Sequence, residues 1–152
     1  MTRRDLEYNI LYSYYLEKMY ATITGRIDKA ISFLLLLSGS AVFASFGSNV
    51  FFGFFVAFLT CLSLIYEFGK KSAAAFDHSK SYHELFIMKD ELNDEELLTR
   101  FRAITRNDTS VWNCLSVAAR KRAIFAIYGE NNEAVNYTTL QCIMSWLAGD
   151  KP

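Results

Sequence analysis

The chain of 152 residues contains one proline, Pro152, and seven glycines. Proline within a helix removes a backbone hydrogen bond and clashes with the preceding turn, so its absence from the interior permits long helices. No stretch alternates polar and apolar residues between the turn residues that mark β-hairpins. We therefore expect an all-helical protein.

Cysteine is scarce and the charges balance. The three cysteines, Cys61, Cys114 and Cys142, are odd in number and widely spaced. They provide neither a disulfide framework nor a pair of metal ligands. The 16 basic residues equal the 16 acidic ones, which argues against a general nucleic-acid-binding protein. The sequence has no glycine-rich phosphate loop and no nucleophile elbow, so we expect no enzyme activity, no metal and no cofactor.

Charged residues are absent from residues 30–66. One helix needs about 17 to 25 mostly apolar residues to cross a bilayer, and this run supplies nearly two such lengths. The triplet Gly47-Ser48-Asn49 divides the run and suits a tight turn. The sequence thus predicts a transmembrane helical hairpin over 27–68, with crossings at 27–46 and 50–68. A secretory signal peptide is disfavoured because the apolar run starts late and is long enough to cross twice.

Basic residues flank the open end of this predicted hairpin. Arg26 and Lys29 precede it and Lys70 and Lys71 follow it, whereas the turn has no charge. Lysine and arginine are enriched on the cytoplasmic side of membrane proteins. We therefore expect a multi-pass protein of the inner (cytoplasmic) membrane with both termini in the cytosol.

Glu67 lies near the lipid boundary, where an unpaired carboxylate is costly. Counting outward from Ser48 places Lys29 and Glu67 at equal depth, which predicts an ion pair across the mouth of the hairpin. Glu67 can equally pair with Lys70 or Lys71, one turn along its own helix. The sequence leaves both interpretations open.

The predicted hairpin has a helical segment on each side. Residues 1–26 carry an apolar face at helical spacing and predict an N-terminal amphipathic helix, with Gly25 as a bend before the first crossing. Residues 69–152 predict a cytosolic helical domain. Within it, Asn93 and Glu96 have the spacing of a capping box at a helix N-terminus. A last amphipathic helix is expected from about Thr138 to Leu147. The fold class predicted for the whole chain is an all-α membrane protein.

A helix predicted to begin at Val111 and to end at Gly129 carries the basic cluster Arg120-Lys121-Arg122. These residues are candidates for contacts with anionic lipid or with a phosphate-bearing ligand. Charge balance against the acidic residues between Asp90 and Glu96 explains the cluster at least as well.

His78 and His83, with Asp77 and Glu84 beside them, form the one cluster in the sequence with metal-binding or acid-base potential. Two histidines five residues apart lie on poorly aligned helical faces, unlike the pair of an HExxH metal site. We therefore expect surface or packing roles for both.

Two stripes of small residues run along the predicted crossings. The first consists of Ser38, Ala41 and Ser45. The second consists of Gly53, Ala57 and Cys61. Small residues at this spacing let membrane helices approach closely, so either stripe could hold one hairpin together. We favour that packing role for the second stripe, and a pore-lining role for the serines once several hairpins assemble.

The order of an amphipathic helix, a tight two-helix hairpin and a cytosolic helical tail resembles the SLATT family of bacterial two-transmembrane effectors. Three segments carry the resemblance: ATITGRIDKAISFLLLLSGSAVF, YEFGKKSAAAFDHSKSYHELF and TRFRAITRNDTSVWNCLSVAARKRA. The resemblance implies a pore-forming effector of antiphage or abortive-infection systems. Such a protein stays inert until a nucleotide signal, or a partner protein encoded nearby, triggers assembly and membrane leakage.

The expected partners are therefore the lipid bilayer, further copies of the same chain and such a trigger, without direct nucleic-acid binding. The alternative is a non-conducting membrane adaptor or a prophage superinfection-exclusion protein. Either of these would use the same hairpin as an anchor only.

Overall fold

The computed structural model describes residues 2–39, 49–129 and 137–150. Regular structure in these ranges is entirely helical, as the sequence predicts. The helices are α1 (Arg3–Ser38), α2 (Asn49–Tyr66), α3 (Phe68–Ile87), α4 (Asp94–Thr105), α5 (Ser116–Tyr128) and α6 (Thr139–Leu147). Short 3-10 turns, Met88–Glu91 and Asn113–Leu115, precede α4 and α5. The predicted hairpin tip, with Ala41, Ser45, Gly47 and Ser48, lies outside the described residues.

Helix α1 is one continuous helix of 36 residues, so the predicted bend at Gly25 is wrong. Gly25 instead permits a close helix contact, because a Cβ atom there would lie 2.8 Å from the Ser72 hydroxyl oxygen. That hydroxyl donates a hydrogen bond to the Ala21 carbonyl oxygen at 2.8 Å. The missing side chain thus brings α3 against α1 and leaves the helical hydrogen bonds of α1 intact.

Helices α1 and α3 form an antiparallel pair. At one end, Asp28 lies against Gly69, where a Cβ atom would be 3.1 Å from the carboxylate oxygens. At the other end, the Arg3 guanidinium donates to the Leu92 carbonyl oxygen at 3.0 Å. Ala75, midway along α3, has no exposed surface. Small side chains therefore let the two backbones approach closely along the pair.

Two apolar cores join α1 to the helices that follow α2. One core lies between α1, α3 and α4 and consists of Leu6, Ile10, Tyr82, Leu85 and Leu97. The other lies between α1, α3 and α5 and consists of Met19, Tyr20, Ala21, Ile23, Ala75, Leu115, Ala118 and Ala119. Fully burying one large apolar side chain stabilises a fold by about 1.5 to 3 kcal/mol. The first 26 residues are thus part of the same packed unit as α3 to α5.

The predicted capping box of α4 is confirmed. The Asn93 side chain accepts a hydrogen bond from the Glu96 backbone N–H at 2.8 Å, and the Glu96 carboxylate accepts one from the Asn93 N–H at 3.4 Å. The last helix begins at Thr139, next to the start predicted at about Thr138, and Thr138 is its N-cap. These caps depend on residues three positions apart, so local sequence is enough to predict them.

The helix predicted to begin at Val111 begins instead at Ser116, after a 3-10 turn. Its predicted end is confirmed, because α5 stops at Tyr128 and Gly129 has a φ of 78°. The late start has a physical cause in two tertiary contacts. Thr109 is hydrogen-bonded to α1, and the Trp112 ring packs edge to face on Tyr20. Both contacts hold this stretch away from a helical conformation.

Candidate functional site at the break between α2 and α3

One helical stretch of the described chain, Phe51–Glu91, contains a segment long and apolar enough to cross a membrane. Its most apolar window has a mean hydropathy of 1.9, and 11% of that window is buried. On α2, Phe54, Leu64 and Ile65 are each more than 70% exposed. The core helix of a water-soluble protein would be mostly buried. By length, composition and exposure, α2 is a candidate membrane helix.

The apolar end of α1 packs on α2 along one side. Ile31 of α1, Leu59 of α2 and Phe68 at the start of α3 form a small buried cluster. Leu35 and Phe55 are half-buried against it. This contact leaves the outer faces of both helices uncovered by the described chain.

Glu67 separates α2 from α3 and has φ 46° and ψ 46°, which is left-handed. It is the one residue other than glycine with a positive φ in the part of the chain that the structure describes. Such a conformation costs about 1 to 3 kcal/mol. In a continuous helix, residues two apart point about 200° away from each other. The break instead stacks the rings of Tyr66 and Phe68, with centroids 5.3 Å apart and an interplanar angle of 6°.

The Glu67 carboxylate lies 3.4 Å from the Lys70 ammonium. Lys29 makes no ion pair with it, or with any other acid within the described ranges. Of the two pairings that the sequence leaves open, the structure thus has the local one. The predicted pair of Lys29 and Glu67 across the hairpin mouth is absent from the ion pairs of the described residues.

Four aromatic rings surround a cavity of about 250 Å³ beside this break, which we call the boundary pocket. The rings belong to Tyr20, Tyr66, Phe68 and Trp112, and Lys71, Thr109 and Ser110 complete the lining. The Lys71 ammonium nitrogen lies 5.7 Å from the centre of the Tyr66 ring. Four of the seven lining residues are thus aromatic, and the other three supply one cation and two aliphatic hydroxyl groups.

Glu17 fixes the loop that forms one wall of this pocket. It is 2% exposed. Its carboxylate accepts hydrogen bonds from the Thr109 backbone N–H at 3.1 Å and from the Thr109 hydroxyl at 2.5 Å. Burial raises the pKa of Glu17 above its ordinary value, and the two bonds from Thr109 partly oppose that rise.

The sequence analysis assigned no role to Glu17. A signal was available, because Glu17 lies on the same helical line as Ile10, Tyr14 and Ala21, at spacings of four and three residues. A carboxylate on an apolar line must find hydrogen-bond donors when it is buried. Its donor is 92 residues away in the chain, so sequence alone could not identify it.

A second polar contact lies near Glu17. The buried Tyr82 hydroxyl donates to the Asp108 carboxylate at 2.6 Å and lies 3.1 Å from the Thr105 hydroxyl. Burial raises the pKa of Tyr82 and that of Asp108. The charge of His78 acts on Glu17 and Asp108 in the opposite direction, lowering the pKa of both. This network fixes the start of the loop at Asp108 and Thr109.

The two histidines have separate environments. His83 stacks on the Tyr14 ring, with centroids 5.1 Å apart, whereas His78 acts through its charge on Glu17 and Asp108. The described residues contain no group of three or more histidine, cysteine, aspartate or glutamate side chains able to hold a metal ion.

The predicted stripes of small residues are only partly within the described chain. The Ser38 hydroxyl donates to the Leu34 carbonyl oxygen at 2.7 Å within α1, and Ala41 and Ser45 lie outside. On α2, Ala57 and Cys61 are exposed, and a Cβ atom on Gly53 would meet nothing within 4 Å. The second stripe therefore faces away from the described part of its own chain and is open to another helix.

The three residues of the basic cluster on α5 have different environments. The Arg122 guanidinium pairs with the buried Asp150 carboxylate, with its Nε donating at 2.6 Å. Lys121 lies over the Tyr137 ring, 5.3 Å from its centre. Arg120 is exposed. Arg122 thus anchors the end of the chain, and Arg120 is the residue of the three most available to lipid or ligand.

No protein-family model, curated protein or solved structure matches the chain. The similarity to the SLATT family therefore remains a resemblance, and the function is inferred from the residues and their arrangement.

Proposed function

We propose that this chain is an inner-membrane effector of a bacterial antiphage or abortive-infection system, and that it oligomerises to permeabilise the membrane. In this proposal, 27–46 and 50–68 cross the membrane as a hairpin, and both termini lie in the cytosol. The observation that carries it is the exposure of α2, whose apolar side chains require lipid or another apolar helix around them.

Self-association follows from the faces that a single chain leaves open. One hairpin cannot enclose water, so leakage requires several copies. The stripe of Gly53, Ala57 and Cys61 is exposed and offers a close contact for a second membrane helix. In an assembly of this kind, Ser38, Ala41 and Ser45 of the first crossing line the water-filled path.

The continuity of α1 supports control of the crossings by the cytosolic helices. This helix has its first half in the cytosolic cores and its last part against α2, with no break between them. A shift of α3 or α5 is therefore transmitted along α1 toward the membrane. The trigger of that shift is a nucleotide signal or a partner protein encoded nearby.

Controlled expression in bacteria tests this function directly. Strong overexpression favours assembly by mass action even without the trigger, so we expect loss of membrane potential and uptake of an impermeant dye within minutes of induction. The double variant Ser38→Leu and Ser45→Leu should abolish leakage while the protein stays in the membrane fraction. Phe33→Leu, at an exposed apolar position of the same helix, is the matched control and should leak as the wild type does.

A protein that reaches the membrane without leakage in any variant contradicts the pore function. That result favours the alternative, a non-conducting adaptor or a superinfection-exclusion protein that uses the hairpin as an anchor. Protection against a second phage, measured with leakage-free protein, then distinguishes exclusion from a purely adaptor role.

A further inference from the structure

The boundary pocket has a charge that is not neutralised. Lys70 pairs with Glu67, whereas Lys71 makes no ion pair with an acid in the described ranges. Its ammonium lies at the pocket edge, over the ring of Tyr66. A cation among aromatic rings repels a cationic ligand and attracts an anionic one.

The lining of the pocket also supplies a hydroxyl group on a fixed backbone. Ser110 is exposed and its hydroxyl makes no hydrogen bond to the part of the chain that the structure describes. The preceding residue, Thr109, is held by both oxygens of Glu17. A donor on a pinned loop loses little conformational freedom when it binds a ligand.

The rings give the pocket an apolar interior next to this polar edge. Trp112 and Tyr20 meet edge to face, with centroids 5.3 Å apart, and Tyr66 and Phe68 form a second, stacked pair in the same lining. The strained backbone of Glu67 maintains that stacked pair. Tyrosine and tryptophan at the end of a membrane helix suit the zone where lipid headgroups meet the acyl chains.

We propose that the boundary pocket binds an anionic phosphate ester. Lys71 and Ser110 contact the phosphate oxygens, and the four rings cover the carbon part of the ester. The source is either an anionic phospholipid headgroup of the cytoplasmic leaflet or a small soluble phosphate compound. The phospholipid alternative rests on the proposed function, because it requires the chain to lie in a membrane. Binding of a phosphate ester in the pocket does not depend on that function.

The tryptophan in the pocket can report binding. The chain has two tryptophans, so Trp146→Phe leaves Trp112 as the single emitter. This protein is placed in nanodiscs of phosphatidylcholine with increasing phosphatidylglycerol. In parallel, detergent-solubilised protein is titrated with glycerol 3-phosphate at fixed salt. We expect a saturable shift of Trp112 emission in at least one titration.

Neighbouring lysines provide a matched pair of variants. Lys71→Gln should weaken the apparent affinity about fivefold, the effect of one basic residue near an anionic headgroup. Lys70→Gln removes a charge one residue away that does not line the pocket, so it should weaken the affinity less than Lys71→Gln does. Ser110→Ala, at an exposed side chain without internal hydrogen bonds, should weaken it about threefold. Far-ultraviolet circular dichroism checks that all variants remain helical.

If glycerol 3-phosphate shifts the Trp112 emission as strongly as lipid does, and the shift depends on Lys71, the ligand is a soluble phosphate compound. If only lipid gives a Lys71-dependent shift, the ligand is a phospholipid headgroup. The proposal is overturned when neither titration shifts the emission, or when Lys70→Gln and Lys71→Gln weaken binding equally. Protein that fails to enter nanodiscs contradicts the proposed membrane function instead. In that case the titration with glycerol 3-phosphate still tests whether the boundary pocket binds a phosphate ester.

Discussion

Glu17 of α1 holds Thr109 through two hydrogen bonds, although the two residues are 92 positions apart in the chain. The first bond comes from a backbone N–H and the second from a hydroxyl, so both oxygens of the carboxylate are used. This contact determines where the loop after α4 lies. Through Ser110 and Trp112, the same loop forms one wall of the boundary pocket.

Removing the Glu17 carboxylate should destabilise the fold. Glu17→Ala leaves the part-buried Thr109 N–H without an acceptor, and we expect the free energy of unfolding to fall by about 1 to 3 kcal/mol. Glu17→Gln keeps an acceptor for that N–H and should lose less than half as much. Thermal unfolding in one fixed detergent measures both. Equal loss from the two variants would mean that the charge, rather than the acceptor, holds the loop.

The stability should also depend on pH through Glu17. Burial raises the pKa of Glu17 above the ordinary value of 4.5. Just above pH 4.5, the folded carboxyl therefore keeps a proton that the unfolded chain has released. The unfolded state binds fewer protons in this window, so the free energy of unfolding falls as the pH rises toward the raised pKa. Burial shifts the pKa of Asp108 in the same direction.

Unfolding measured at several pH values above 4.5 checks this sign. Glu17→Gln has no proton to release at this position, so its stability should fall less steeply than that of the wild type. The fall in the free energy of unfolding that remains in Glu17→Gln comes from Asp108. It should diminish further in the double variant that also carries Asp108→Asn. A slope in Glu17→Gln as steep as in the wild type would show that Glu17 does not titrate in this window.

Gly25 should tolerate no side chain while Ser72 is present. Alanine normally favours a helix over glycine by about 1 kcal/mol. Its Cβ would lie 2.8 Å from the Ser72 hydroxyl oxygen, and such overpacking costs about 1 to 3 kcal/mol. We therefore expect Gly25→Ala to lower the thermal stability.

Adding Ser72→Ala should recover that stability, because the serine Cβ is 3.7 Å from the new methyl group, an ordinary contact. If the double variant loses as much stability as Gly25→Ala and Ser72→Ala do together, the two residues do not interact, and the close contact between α1 and α3 is contradicted.

The open face of α2 should mediate association between copies. Ala57→Leu places a large side chain in the stripe of small residues, where it prevents close approach of a second helix. We expect a smaller assembly by light scattering in detergent, with unchanged helix content. Phe58→Leu, at an exposed neighbour outside the stripe, should keep the wild-type size. An assembly unaffected by Ala57→Leu would place the contact elsewhere.

Local sequence predicted the features that depend on neighbours in the chain. The capping box of Asn93 and Glu96, the end of α5 at Gly129 and the start of α6 after Thr138 all follow from residues within one turn. The all-helical composition follows from the lack of interior proline and of alternating patterns. These features need no knowledge of the tertiary structure.

The remaining features depend on contacts between distant segments. The sequence predicted a bend at Gly25. The residue that Gly25 contacts closely, Ser72, is 47 residues away, so only the folded chain shows why glycine is needed there. The left-handed backbone of Glu67 has no sequence signal, since glycine or asparagine is the usual residue in that conformation. The role of Glu17 depends on Thr109. Patterns of hydrophobicity identify faces of helices, but they do not identify which residues those faces meet.

The side of the membrane on which each terminus lies is the most direct test of the central claim, that the apolar part of this chain crosses the bilayer twice. A short epitope tag is fused to each end in turn, and protease is added to spheroplasts and to inside-out vesicles after an alkaline wash. The account predicts that the chain stays in the washed membranes. It also predicts that both tags are protected in spheroplasts and both are cleaved in inside-out vesicles. Tags on opposite sides, or a chain that remains in the aqueous fraction without detergent, would contradict it.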